Sequence, residues 1–503
     1  MRYVGTALAL LGVGAVLVST AFHGRPAVPT VNANAPVNPG AREPGDINAN
    51  NSPSLAQDPA APALLAVANR VDTPAYSCAL DVSRDGGRTW SAVRVPIPAG
   101  EEPKCYAPDV TFAGDGTLYM SYLTLRGNGN TPHAAWLVRS TDGGRTLSVP
   151  RRVLGPLAFQ LHLTSDPARP RRLYLTWLQA SDTGLYKYTS PGNPIEVMRS
   201  DDGGGHWSAP MRVSSPSRLR VVSPVPVVAP HGVVYVLFMD LGGDTLDYEG
   251  GGGGFGGPPY GGRFSLVLAR SQDGGSTWAE SVVDPSIVPA RRFIVFLAPF
   301  PALAVDRRSG RIYAGFEDGR LGDPDVYLSS LASGARSWTR PVRVNDTRAR
   351  DRTAQYLPAL AVAPDGRLDV IYYDRRLDPH NKLSMVSLQS SYDDGRTFLP
   401  HVTLSDRPFS SQIGSGSERG LPDLGSNLAV ASTDAHALAA WTDTRAGTVL
   451  SNKQDITFTR ASFSSPARLG DLPRDLLRYG GIGLVLLGLA VASGAAGRLR
   501  PSP

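Results

Sequence analysis

A short turn motif returns along this chain at nearly constant spacing, and a period of that kind constrains the fold more than any local preference does. The best copies are Ser83-Arg84-Asp85-Gly86-Gly87-Arg88-Thr89-Trp90, then Ser140 to Leu147, Ser200 to Trp207, Ser271 to Trp278 and Ser391 to Phe398. A decayed copy ends at Ser337-Trp338, and a seventh, stripped of its turn, ends at Phe463. The closing residues Trp90, Leu147, Trp207, Trp278, Trp338, Phe398 and Phe463 lie 57 to 71 residues apart. The longest interval holds the glycine run 250–254, so it contains a loop insertion rather than a lost repeat.

Each interval has one grammar. An apolar run such as Pro358 to Val362 meets turn chemistry at Asp365-Gly366, and a second run, Leu368 to Tyr373, follows. A third run enters the motif and a fourth leaves it. Short β-branched or aromatic runs between Gly, Asp and Pro turns read as strands. Four to a unit is the pattern of a propeller blade. The expected fold is all-β: one propeller of seven four-stranded blades over residues 51–470, with six blades as the fallback. The motif has a mechanical reading. Asp and Ser side chains accept bonds from backbone N–H groups a few residues on. Paired glycines tolerate positive φ, and the closing aromatic carries apolar area toward the next blade. Asp85, Asp142, Asp202, Asp273 and Asp393 are therefore assigned a structural role.

The pattern S-x-D-x-G-x-T-W resembles the Asp-box, or bacterial neuraminidase repeat, and the chain resembles the sialidase-like propeller superfamily over roughly residues 50–469. Sialidases, sortilin-type receptors, xyloglucan hydrolases and photosystem assembly factors share that architecture, so function must be argued from a site.

The termini bear on location. Residues 1–22 have the layout of a secretory signal or an uncleaved signal anchor. Residues 23–50, rich in Pro, Ala and Asn, are expected to be a disordered linker. Residues 479–497 are uncharged and apolar, and about 19 residues can span ~30 Å of hydrocarbon. A transmembrane helix is expected there, with 498–503 as a short basic cytoplasmic tail; a helix lying against another protein is the alternative. Both termini place the propeller outside the cell, at the cell membrane. In that compartment Cys78 and Cys105, the two cysteines of the chain, are expected to form a bridge, with two buried thiols as the alternative. Closing their loop is worth roughly 3 kcal/mol.

The net charge of +6 comes from scattered arginines, with four lysines in all. No basic helix, RNP-like motif or zinc finger accompanies it, which argues against nucleic acid. No metal-binding or cofactor motif is present, and a monomer is expected.

Loops joining second and third strands share a rim with the inter-blade loops, opposite the Asp-boxes. At that rim stand Glu317-Asp318-Gly319-Arg320, Tyr373-Asp374-Arg375-Arg376 and Asp443-Thr444-Arg445, with Asp240 in the fourth unit. Inter-blade loops add Arg291-Arg292, residues 348–352 with Tyr356, and Glu418-Arg419. The resemblance implies a retaining exo-α-sialidase chemistry in which arginines hold a carboxylate and a tyrosine attacks. By repeat position, Arg320, Arg376 and Arg445 would form the clamp with Asp318 and Asp443 beside it. Tyr373 would be the nucleophile, Glu317 its base and Asp374 the acid. The competing reading treats Asp-x-Arg, repeated in three successive units, as pairing between adjacent blades. The Phe-Arg-Ile-Pro segment of sialidases is also absent. A propeller that recognises a glycan or other surface ligand is thus weighed against an active sialidase and against a protein-binding envelope assembly factor. The partner is carbohydrate or a cell-surface protein.

Overall fold

The structure is a computed structural model. It describes residues 28–463 except 42, 44, 183–189, 245–259, 290–299 and 415–423, together with Ile482, Val485, Leu486 and Leu489. The expected signal, transmembrane helix and tail lie outside the described residues apart from those four positions, which are helical. Among the described residues no helix is long and apolar enough to cross a membrane. The glycine-rich insertion, Arg291-Arg292 and Glu418-Arg419 also lie outside.

Seven antiparallel sheets account for the propeller. From inner to outer strand, blade 1 is Asn50–Gln57, Leu65–Val71, Ser77–Ser83 and Ser91–Ala92. Blade 2 is Cys105–Phe112, Leu118–Arg126, Thr131–Ser140 and Arg151–Leu154. Blade 3 is Ala158–Asp166, Arg169–Gln179, Ile195–Ser200 and Met211–Arg212. Blade 4 is Val221–Val228, Val234–Asp240, Phe264–Ser271 and Ala279–Ile287. Blade 5 is Ala302–Val305, Ile312–Asp318, Asp325–Leu331 and Val342–Arg343. Blade 6 is Gln355–Val362, Leu368–Asp374, Leu383–Ser391 and Val402–Thr403, with Phe409–Ser410 added on its third strand. Blade 7 contributes Ala429–Ser432, His436–Asp443 and Asp455–Ser462. The innermost strands touch in sequence and the seventh touches the first, so the ring closes. Seven blades is correct, and six is excluded.

Second strands are buried along nearly their whole length, as in Leu118–Arg126 and Leu368–Asp374. Both faces of such a strand meet a neighbouring blade, which explains why they read as continuous apolar runs instead of alternating ones. The Asp-box is built as its chemistry requires. Asp85 Oδ1 accepts the N–H groups of Arg88 and Thr89, each at 2.9 Å, while Thr89 Oγ1 donates to Oδ2 at 2.7 Å. Ser83 Oγ receives the Gly87 N–H at 2.7 Å. Asp142, Asp273 and Asp393 repeat the pattern. Gly87, at φ 87°, must be glycine for a second reason: a Cβ there would lie 2.1 Å from the Phe458 ring. Trp90 packs edge-on against the same ring at 5.3 Å. Each wedge thus reaches the preceding blade, where the sequence pointed to the next.

Residues 31–50 depart from the disordered-linker expectation. Ala35–Pro36 pairs antiparallel with Thr457 and Phe458, and the Asn32 and Val37 N–H groups donate to Arg460 and Ile456 carbonyls. This segment takes the outer position of blade 7. Its asparagines do the joining. Asn38 Oδ1 accepts the Ile456 N–H at 2.7 Å, and Asn34 bridges to Leu404 and Asp406 in blade 6. Lys453 is buried with its Nζ on the Gly40 and Glu43 carbonyls and on Asp46.

Candidate functional site

The rim opposite the Asp-boxes is where second strands end and inner strands begin. Register aligns the blades: Asn50 faces Val71, Cys105 faces Thr124, Ala158 faces Gln179, Val221 faces Asp240 and Gln355 faces Asp374. Asp318 and Asp443 end the corresponding strands of blades 5 and 7. Inner strands carry a bulge just inside this level, with Ser52, Ala107, Gln160, Ser223 and Leu357 at φ between 47° and 59°. Such bulges turn the strand and re-aim side chains at the channel mouth.

The Asp-x-Arg repeats resolve into clasps. Asp318, Asp374 and Asp443 each accept the N–H of the residue two positions on, at 2.7, 3.0 and 2.9 Å, and so close an Asx turn. Each then holds its own arginine side chain. Every arginine also reaches an acid in or just after the outer strand of the preceding blade: Arg320 to Asp284 at 2.8 Å, Arg376 to Asp346 at 2.7 Å, and Arg445 to Asp406. The three guanidinium groups share no partner. They fasten blade to blade, and the carboxylate clamp expected of Arg320, Arg376 and Arg445 with Asp318 and Asp443 is not assembled.

The expected catalytic trio also stands apart. Tyr373 is fully buried between the rings of Tyr356 and Phe409. Its hydroxyl accepts the Thr442 N–H at 3.1 Å and donates to the Thr442 carbonyl at 3.3 Å. Burial holds its pKa far above the usual phenol range, chiefly by desolvation. A phenol so placed is not ionised, so it is no nucleophile at neutral pH. Asp374 is buried too, accepting from Arg376, Ser387 at 2.7 Å and Gln355 at 3.2 Å. Glu317 Oε2 accepts the Leu357 N–H at 3.1 Å, and among the described residues no hydrogen bond joins it to Tyr373. Burial pushes the Glu317 carboxyl up to about 7, with the Asp318 charge adding to the rise and the Leu357 N–H opposing it.

Sequence reasoning missed the layer just beneath the clasps. The residue before the terminal strand position is Arg70, Leu123, Leu178, Met239, Glu317, Tyr373 or Thr442 around the ring; the residue after it is Asp72, Leu125, Ala180, Leu241, Gly319, Arg375 or Thr444. Blades 2, 3 and 4 are apolar at both places. Blades 5, 6, 7 and 1 carry every polar group. Arg375 is 1 % exposed and, among the described residues, pairs with no carboxylate. Its guanidinium lies over the Tyr356 ring at 4.9 Å and donates to Ser411 Oγ at 2.6 Å, while Nη1 has no partner. Thr442 Oγ1 is likewise buried without a partner. In blade 1, Arg70 joins Asn51 at 2.5 Å, the Tyr106 hydroxyl at 2.5 Å and Asp72 at 3.1 Å. The signal was present in the sequence as an asymmetry between repeats, visible only once register had aligned them.

Among the described residues no group of acidic, histidine or cysteine side chains could hold a metal ion. Cys78 and Cys105 are bonded and tie blade 1 to blade 2.

No protein-family model matches the chain, and no curated protein matches it in sequence. Solved structures that resemble it include a protein of unknown function from Dyadobacter fermentans, 14 % identical, covering 86 % of this chain and 99 % of that one, with a TM-score of 0.49. A Hadza microbial sialidase is 15 % identical over 80 % of this chain and 74 % of its own, with a TM-score of 0.44. An α-L-arabinofuranosidase of Fusarium graminearum is 14 % identical over 71 % of this chain and 97 % of its own, also at 0.44. At these identities and TM-scores the likeness carries no argument. The Asp-boxes and the closed ring of seven sheets make the chain a seven-bladed Asp-box β-propeller in fold.

Proposed function

We propose that this protein is a recognition propeller that takes a polar, glycan-type ligand at the channel mouth over blades 5, 6, 7 and 1, without cleaving it. The observation that carries this reading is the one-sided polar layer, in which the Arg375 guanidinium has no carboxylate partner among the described residues. Buried polar groups are ordinarily paired, and exceptions ask for a reason. A symmetric ring that needed only to close would be served by leucine in every blade, as it is in blades 2 and 3. The buried Tyr373 and the clasped arginines weigh against hydrolysis by the sialidase route. The reading places the propeller outside the cell on a C-terminal anchor; the Cys78–Cys105 bond fits an oxidising compartment.

Hydrolysis remains as a second reading on one observation. Glu317 stands near the end of its strand beside the rim with Oε2 on the Leu357 N–H, and burial pushes its carboxyl up to about 7, the range that suits a general acid near neutral pH. One experiment separates the two. Purified full-length protein is screened on a glycan array and, in parallel, incubated with fluorogenic sialoside and arabinofuranoside. Binding that Arg375→Met abolishes, without turnover, is expected. Turnover that Glu317→Gln removes would replace recognition by catalysis, and folded protein that does neither would end both readings for these ligands.

A further inference from the structure

The opposite face carries a feature that the rim does not explain. Between blades 2 and 3, beside the third Asp-box, lies a cleft of about 370 Å³ whose lining includes Leu137, Arg139, Arg151, Arg171, Asp202 and His206. Among the described residues none of the three arginines pairs with a carboxylate. Arg171 donates to the Asp202 backbone carbonyl at 3.2 Å. Arg139 and Arg171 both lie close enough to the Tyr119 hydroxyl to oppose the upward push that burial and Asp115 exert on it. A Cβ on Gly203 would sit 2.8 Å from that hydroxyl, so glycine keeps the floor open.

Asp202 is the single carboxylate of the lining, and its own turn consumes it. Oδ1 receives the Ser200 hydroxyl and the His206 N–H, both at 2.9 Å, and Oδ2 receives His206 Nδ1 at 2.6 Å. Histidine here replaces the threonine that stands as Thr89, Thr146, Thr277 and Thr397 in the other boxes. Its Nε2 is left as a further polar atom at the cleft.

The next junction shows what is missing. Between blades 3 and 4 the arginines Arg172 and Arg199 share Asp201, at 2.5 and 3.0 Å. Asp201 occupies the second position of the third box. In the second box that position is Thr141, so Arg139, which stands where Arg199 does one blade on, has no such counter-charge. The three solvent-exposed arginines line one small space, and an anion bearing more than one charge would answer their like charge. A phosphate group carries about 1.5 to 2 negative charges at neutral pH and matches the planar donor fork of arginine.

We propose that this cleft binds a phosphate-class anion, presented either by a soluble phosphorylated compound or by a lipid headgroup. The test uses full-length protein at constant ionic strength. Inorganic pyrophosphate is titrated calorimetrically into wild type, Thr141→Asp and Arg171→Gln. Thr141→Asp supplies the acid that Asp201 supplies one blade on, so the unfolding midpoint should hold while the dissociation constant rises at least about tenfold, equivalent to ~1.4 kcal/mol; Arg171→Gln should act likewise. In a second arm, vesicles of phosphatidylglycerol in phosphatidylcholine are sedimented against phosphatidylcholine alone. Vesicle binding lost in Thr141→Asp supports the proposal and makes a lipid headgroup the source. Pyrophosphate binding lost in that variant, with vesicle binding absent or unaffected, supports it and makes a soluble compound the source. Equal pyrophosphate affinity in wild type and Thr141→Asp overturns the proposal, as does a wild type that ignores millimolar pyrophosphate or takes glucuronate as tightly.

Discussion

Blades 2 to 4 and blades 5 to 1 solve the same packing problem beneath the rim in opposite ways. In the first sector Leu178, Met239 and Leu241 interlock with Phe159 and Val222 in one apolar cluster, and Leu123 packs beside Tyr106. In the second, Arg70, Glu317, Tyr373, Thr442 and Arg375 sit at matching positions and are held by directed bonds. The carboxyls that burial pushes up to about 6 or 7 belong to this second sector: Glu317, Asp443, Asp455 and Asp81. Asp81, 1 % exposed in blade 1, has no hydrogen-bond partner on either oxygen. Dispersion closes one half of the ring at little risk. The other half keeps groups that cost stability whenever they are ionised or unpaired.

The largest effect should come from emptying the apolar half. Leu178→Ala removes buried methyl groups from a close-packed cluster and should destabilise the protein by about 2–5 kcal/mol, measured by urea unfolding, while leaving ligand affinity intact. Loss of affinity on the scale expected of Arg375→Met would abolish the distinction between the two sectors.

The polar half should show itself in pH. The Glu317 pKa in the fold lies above the unfolded carboxyl value, so its stability contribution is complete below about 4.3 and is lost as pH rises through 7. Comparing wild type with Glu317→Gln between pH 4.5 and 8 should reveal a difference growing to the order of 2–3 kcal/mol in favour of the variant. Parallel curves would mean that Glu317 is better solvated than its burial implies. Hydrogen exchange, normalised to blades 2 to 4, should show the loss concentrated in blades 5, 6, 7 and 1.

Arg375→Met should have the smallest effect on stability, between no change and a gain of about 1–2 kcal/mol, because it removes a buried cation that has no counter-ion. A large destabilisation would show that the tyrosine and serine contacts around Arg375 are structural, and the polar half would lose its strongest claim to a ligand.

Much of the scaffold could be read from residues alone. The Ser-Asp-Gly-Thr turns and their aromatic wedges are local devices whose bonds run within five residues, so sequence spacing reports them directly. The Asp-x-Arg rim was visible for the same reason, and pairing between blades proved to be its role. Two things were hidden. Residues 31–50 looked disordered because composition cannot show that Asn38 meets Ile456 across more than four hundred positions. Tyr373 looked reactive because a sequence shows neither depth nor the Thr442 backbone that satisfies its hydroxyl.

The closure of blade 7 has a consequence for how the molecule is made. Among the described propeller strands its outer strand comes first in the chain and its partner, Asp455–Ser462, comes last. Throughout synthesis the growing arc keeps one raw edge at each end, and no intermediate with fewer than all the blades can be sealed. The ring can therefore close only once the last of its strands has been made.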